Sequence, residues 1–204
     1  MSAALWSLEV DHTYPPTYLA DEALLKASIL GGLSPSTVRS AIAEHCRSSP
    51  LTLDLVAPDG FSLHKQAVPV GDMLLFNWLP VFSQRAYELL LSQGCTCKEF
   101  IDCRIRVLHE TPFKLHVPLE AFSVIDFSRS VALHTIALSP PIPFHFVAAY
   151  LNDDAAHLPP CFRVPAPGHP QVLSELFALD RLRVAWEAAG LRGATFRRLA
   201  HGAA

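Results

Sequence analysis

The sequence predicts an α+β fold in a single domain, and three observations lead there. Residue patterns switch from helical spacing to strict alternation at Leu51. Short apolar runs bounded by Gly and Pro follow through the second half. Half of the residues are hydrophobic and only 17% are charged, a balance that can bury one sizeable core without metal or disulfide staples. A mostly antiparallel or mixed sheet with N-terminal helices is therefore expected over residues 1–204. Residues 1–50 form its helical part, 51–199 its sheet-containing part and 200–204 a tail.

Leu5 to Val10 fits a leading strand that stops at Tyr14-Pro15-Pro16, where the backbone is restricted. A helical run follows from Asp21 to Gly31-Gly32. The next helix has Ser34 as its cap and Pro35 at its first position, with Val38, Ile42 and Cys46 or His45 at helical spacing. Leu51, Leu53 and Leu55 alternate with Thr52 and Asp54, and Pro58-Asp59-Gly60 turns the chain as in a hairpin. Ser83 to Gln93 returns to helix with Ala86, Leu89 and Leu90 on one face and Gly94 as the stop. From Phe100 a strand sets Ile101, Cys103, Ile105 and Val107 against Asp102, Arg104 and Arg106. Further strands are predicted at Phe113–Val117, Val124–Phe127, Val131–Leu138, Phe144–Leu151 and Cys161–Val164.

The last forty residues predict a helix capped by Ser174, with Leu176, Leu179, Leu182, Trp186 and Ala189 at steps of three or four, closed by Gly190. A helix-Gly-strand unit thus occurs twice. Phe100 follows Gly94 by six residues as Phe196 follows Gly190, and Val-x-Ser precedes each helix, although the second copy has five more residues between Ser and Gly.

Several chemistries find no support. Cys95 and Cys97 are one residue apart, which points their side chains in opposite directions in an extended segment, so with Cys103 and His109 they do not make a structural zinc site. Ser83 and Ser174 lack a nucleophile elbow and are assigned to helix capping. His45 and Cys46 diverge by about 100° on a helix. Asp153-Asp154 has no calcium loop around it, and no phosphate-binding glycine motif is present. No catalytic residue, cofactor or metal is assigned, and a non-enzymatic role is expected. A cysteine-dependent hydrolase using Cys97 or Cys161 with a distant histidine is the alternative.

Charge argues against duplex nucleic acid as the partner. Five arginines stand against Glu187 alone from Arg181 onward, a net +4 that leaves −7 for residues 1–180. Ser130 to Asn152 carries no charged residue, but Pro140, Pro141 and Pro143 break any membrane-crossing helix, so no membrane association is expected. Five cysteines, an odd number, and a start at Met1 without a basic and apolar leader fit the cytoplasm.

Four stretches carry a resemblance. Leu79-Pro-Val-Phe-Ser-Gln-Arg-Ala-Tyr-Glu-Leu-Leu continues to Gly94 and Glu99-Phe-Ile. Val124-Ile-Asp126-Phe-Ser-Arg-Ser130 and Phe162-Arg163 follow, and the fourth runs from Val172-Leu-Ser174 through Glu187-Ala-Ala-Gly-Leu-Arg-Gly193-Ala-Thr-Phe. In this order they resemble a family of bacterial immunity proteins encoded beside polymorphic and type VI secretion toxins. The match covers roughly residues 75–199. The first helix exit departs from it, reading Gly94-Cys-Thr-Cys97 where Gly-Leu-x-Gly is the family pattern. The resemblance implies an α+β protein that binds and inhibits a cognate toxin, and it supplies no catalytic residue. An effector adaptor or chaperone is the second binding alternative.

Overall fold

A computed structural model describes residues 4–14, 17–19, 35–47, 50–55, 70–76, 79–106, 108, 111–135, 143–152, 157–169 and 172–199. The helix predicted from Asp21, the turn at Pro58-Asp59-Gly60, His109, Asp153-Asp154 and the tail 200–204 lie outside the described residues.

The fold is α+β, and the described strands form three sheets. Leu5–Val10 (β1) is a central strand, flanked antiparallel by Leu176–Leu179 (β11) and Ala194–Arg198 (β12), with Cys161–Phe162 (β10) beyond β11. A second, mixed sheet runs Thr17–Leu19 (β2), Leu51–Leu55 (β3), Phe100–Ile105 (β6), Pro112–His116 (β7), Leu79–Ser83 (β5) and Met73–Phe76 (β4), and curls until β4 meets β2. Its β3/β6 and β2/β4 contacts are parallel and the rest antiparallel. Val131–His134 (β8) and Pro143–Ala148 (β9) make a separate two-stranded ribbon. The described helices are Pro35–Cys46 (α1), Gln84–Ser92 (α2) and Asp180–Ala188 (α3). None of these is long and apolar enough to cross a membrane.

Both predicted helix-Gly-strand units are present, but α2 sits on the curled sheet and α3 on the four-stranded one, not on one shared sheet. Ser174 does not cap a helix; Leu176–Leu179 is strand β11, buried throughout, and α3 starts only at Asp180, six residues after Ser174. A continuous apolar run covered on both faces satisfies helical and strand spacing alike, which is why periodicity misplaced the boundary. With Leu179 as N-cap opposite Ser83, both helices span nine residues and the five-residue mismatch disappears. Gly94 and Gly190 then end them at φ 106° and 62°, where a Cβ is disfavoured. The following N–H closes each helix in the same way, Cys95 onto Leu90 O at 3.0 Å and Leu191 onto Trp186 O at 3.2 Å. In both units a third strand lies between the two that the helix joins, β7 between β5 and β6 and β1 between β11 and β12.

The two units face each other across a shared core. Phe82 meets Trp186 edge-on at 6.2 Å, and Ala86, Leu90, Leu176 and Leu182 pack around them. Asp72 fastens the join: one carboxylate oxygen accepts the Ser83 hydroxyl at 2.7 Å and the other the Arg192 N–H at 2.9 Å. Alternation along β1 and β11 sends Leu8, Leu176 and Ala178 into this core, and Leu5, Phe177 and Leu179 into a second one with Phe146 and Phe162 on the opposite face. A third core fills the curled sheet around Leu53, Phe76, Val81 and Leu115.

Val124–Phe127 is not a strand. Ile125 makes one isolated bridge to Leu151, and the Asp126 carboxylate draws in the N–H groups of Ser128 and Arg129 and the Ser128 hydroxyl at 2.6–3.3 Å. A side chain that satisfies the backbone locally competes with ladder pairing.

Candidate functional site

β1 ends and β11 begins at the same end of the four-stranded sheet because the two run antiparallel, and a cleft of about 320 Å³ opens there. Ser7, Glu9 and His12 come from β1 and its exit, Glu175 from the start of β11, and Phe144 and His145 from β9. The residue that organises one wall is Arg197 of β12, opposite Ser7 in the ladder.

The Arg197 guanidinium donates to Glu9 Oε1 at 2.7 Å, to Glu175 Oε1 at 2.9 Å and to the Phe146 carbonyl at 2.6 Å, and it lies 3.4 Å from His145 Nδ1. Guanidinium only donates, so Nδ1 of His145 can serve that contact only as an acceptor. Glu175, 8% exposed, uses its other oxygen to accept the Phe146 N–H at 2.9 Å. Both backbone groups of Phe146 that face away from β8 are thereby satisfied by side chains. Glu175 and Arg197 do for the outer edge of β9 what a neighbouring strand would do, and they lock the ribbon onto the main sheet.

Donor atoms of Glu9, His145 and Glu175 lie within 4.8 Å of one another, a spacing that a divalent cation accepts. The cationic group among them is Arg197, which engages both carboxylates and the imidazole, so this cluster is an ion network closed on itself. The partners lie 22, 52 and 188 residues from Arg197, which put them beyond the reach of sequence spacing. Charged residues set singly inside apolar strands, Leu8-Glu9-Val10 and Glu175-Leu176-Phe177, were the signal available.

Among the described residues, the one group of three potential metal-ligating side chains contains no cysteine. Cys95 is buried, whereas Cys97, at the start of a 3-10 turn, is exposed. Burial pushes the Cys103 thiol up to about 12. Cys161 is 2% exposed, and its hydrogen bond with Cys95 together with burial holds its thiol well above the ordinary value. Ser83 is committed to capping α2, accepting the Ala86 N–H at 3.2 Å. His116 is fully buried beside Phe82 and Phe100, with neither ring nitrogen hydrogen-bonded. Desolvation, helped by the charges of Arg163 and Arg39, lowers its pKa to about 3.

The resembling motifs serve the scaffold. Leu79 to Leu90 builds β5 and α2, and Asp126 to Ser130 forms the side-chain-bonded turn. Arg163, 1% exposed, donates to the Leu173 and Ser174 carbonyls and so anchors the segment entering β11. The outer face of the β8–β9 ribbon is different in kind: Val131, Leu133, Phe144 and Val147 stand 46–56% exposed there.

No protein-family model matches the chain, and no curated protein does.

Proposed function

We propose that the protein is an immunity protein, which binds a cognate bacterial toxin of the type VI or polymorphic class and neutralises it by direct contact. The order and spacing of the motifs from Leu79 to Phe196 carry this reading. Their side chains build the twin units, the Asp126 turn and the Arg163 anchor, a framework that holds an outer surface in place. Inhibition by contact asks for such a rigid platform, since preorganised surfaces lose little entropy on binding. Five cysteines in the free thiol form fit a cytoplasmic setting, where a cell would meet its own toxin.

The test is co-expression with the product of the adjacent candidate toxin gene. Growth should be restored and the two proteins should co-purify. Absence of both effects overturns the reading, and co-purification with toxicity intact points to an adaptor instead.

A further inference from the structure

Residues 130–152 hold no Asp, Glu, Lys or Arg. Core packing accounts for part of that composition, because Ala132, Phe146 and Ala149 turn inward. Solvent-facing positions of a two-stranded ribbon ordinarily carry charge, which keeps such ribbons from sticking to other surfaces. Here they carry Val131, Leu133 and Val147 at 54–56% exposure and Phe144 at 46%. These are four of the six exposed large hydrophobics among the described residues, on one small element. Val147 and Phe144 are also the residues that the β8/β9 register skips, so each sits at a bulge that turns it outward.

The edge of β9 at Phe146 is already closed by Glu175 and Arg197, so an added strand finds no partner there. On the β9 side, contact is therefore face-on. We infer that this outer face is where the toxin docks, and that it takes an uncharged aliphatic or aromatic patch of the toxin with a projecting side chain beside it. This rests on the toxin-binding reading. A charge pressed against the face would meet no counter-charge, which fixes the partner patch as neutral. Four half-exposed side chains give a patch of a few hundred Å², well short of the roughly 800 Å² per side of a stable interface. The remainder lies next door, since Phe144 and His145 also line the 320 Å³ cleft with Ser7, Glu9 and His12. A concavity beside an apolar pad suits a protein that presents a protruding side chain.

Leu133→Glu and Val147→Glu test the face, with Val184→Glu on α3, another 49% exposed apolar position, as control. Against the product of the adjacent toxin gene, the two ribbon variants should keep wild-type circular dichroism, bind about tenfold or more weakly and lose growth rescue, while Val184→Glu behaves as wild type. If Leu133→Glu unfolds, Val131→Lys reads the same face. Wild-type binding by the folded ribbon variants overturns the inference and leaves the toxin-binding reading standing. So does a chain that runs alone as a dimer and is split by Leu133→Glu. A wild-type chain that neither rescues nor co-purifies overturns both.

Discussion

Arg197 and Glu175 meet at 2.9 Å and close on the same residue from two sides, Glu175 accepting the Phe146 N–H and Arg197 donating to the Phe146 carbonyl. The ribbon is therefore held to the main sheet at one backbone unit by a charged pair. Arg197→Met removes the cation and leaves a carboxylate 8% exposed without its counter-charge. Unfolding free energy should fall by about 3 kcal/mol in a urea titration, and amide exchange in residues 143–148 should quicken more than in β1. An unchanged midpoint would show that the clamp adds nothing.

His116 gives the protein a built-in acid response. Its ring is neutral in the fold down to about pH 3 but takes up a proton near 6.5 in the unfolded chain. The unfolded state thus binds the extra proton in between, so this contribution is fully present above about pH 6.5 and is lost as pH falls toward 3, at up to about 1.4 kcal/mol per pH unit. His116→Leu should flatten the stability profile between pH 6 and 4 by about one proton. It should also hold or raise stability at pH 7, since no hydrogen bond is lost. Parallel profiles for the two proteins would refute the assignment.

Two glycines of the second unit separate conformation from space. A Cβ at Gly190 meets nothing within 4 Å, so Gly190→Ala bears only the left-handed strain of φ 62°, about 1 kcal/mol. At Gly193, with φ 87°, the same atom lands 2.5 Å from the Met73 carbonyl and 2.9 Å from Gly71 Cα. Gly193→Ala should cost about 3 kcal/mol or more, because backbone on both sides must move. Thermal denaturation of the two variants side by side reads the difference, and equal shifts would contradict the close approach.

Thiol labelling distinguishes the exposed cysteine from the rest. Cys97 should react with an aromatic disulfide within the native state, Cys46 more slowly, and Cys95, Cys103 and Cys161 only on unfolding. Cys97→Ser should abolish the fast phase. Fast labelling of Cys161 would reopen the cysteine-hydrolase alternative.

Local chemistry was legible wherever one stretch of chain decides the outcome. Alternation found β3 and β6, Ser83 and Gly94 bounded α2, and the matching six-residue steps from Gly to Phe exposed the repeat. Reading failed where two local options compete: Leu176–Leu179 fits helix and strand equally, and Asp126 diverts its neighbours from a ladder.

What the sequence by itself determined is the α+β class, the repeated unit and an uncharged segment that no membrane-crossing helix explains. Only the tertiary structure decided that β1 completes the second unit from the far end of the chain, that Glu9, Glu175, His145 and Arg197 form one closed network, and that the uncharged ribbon turns half of its side chains outward. The reason is physical. Period and capping act within a few residues of backbone, whereas burial and ion pairing depend on which strands become neighbours, and those contacts join residues as far apart as Glu9 and Arg197.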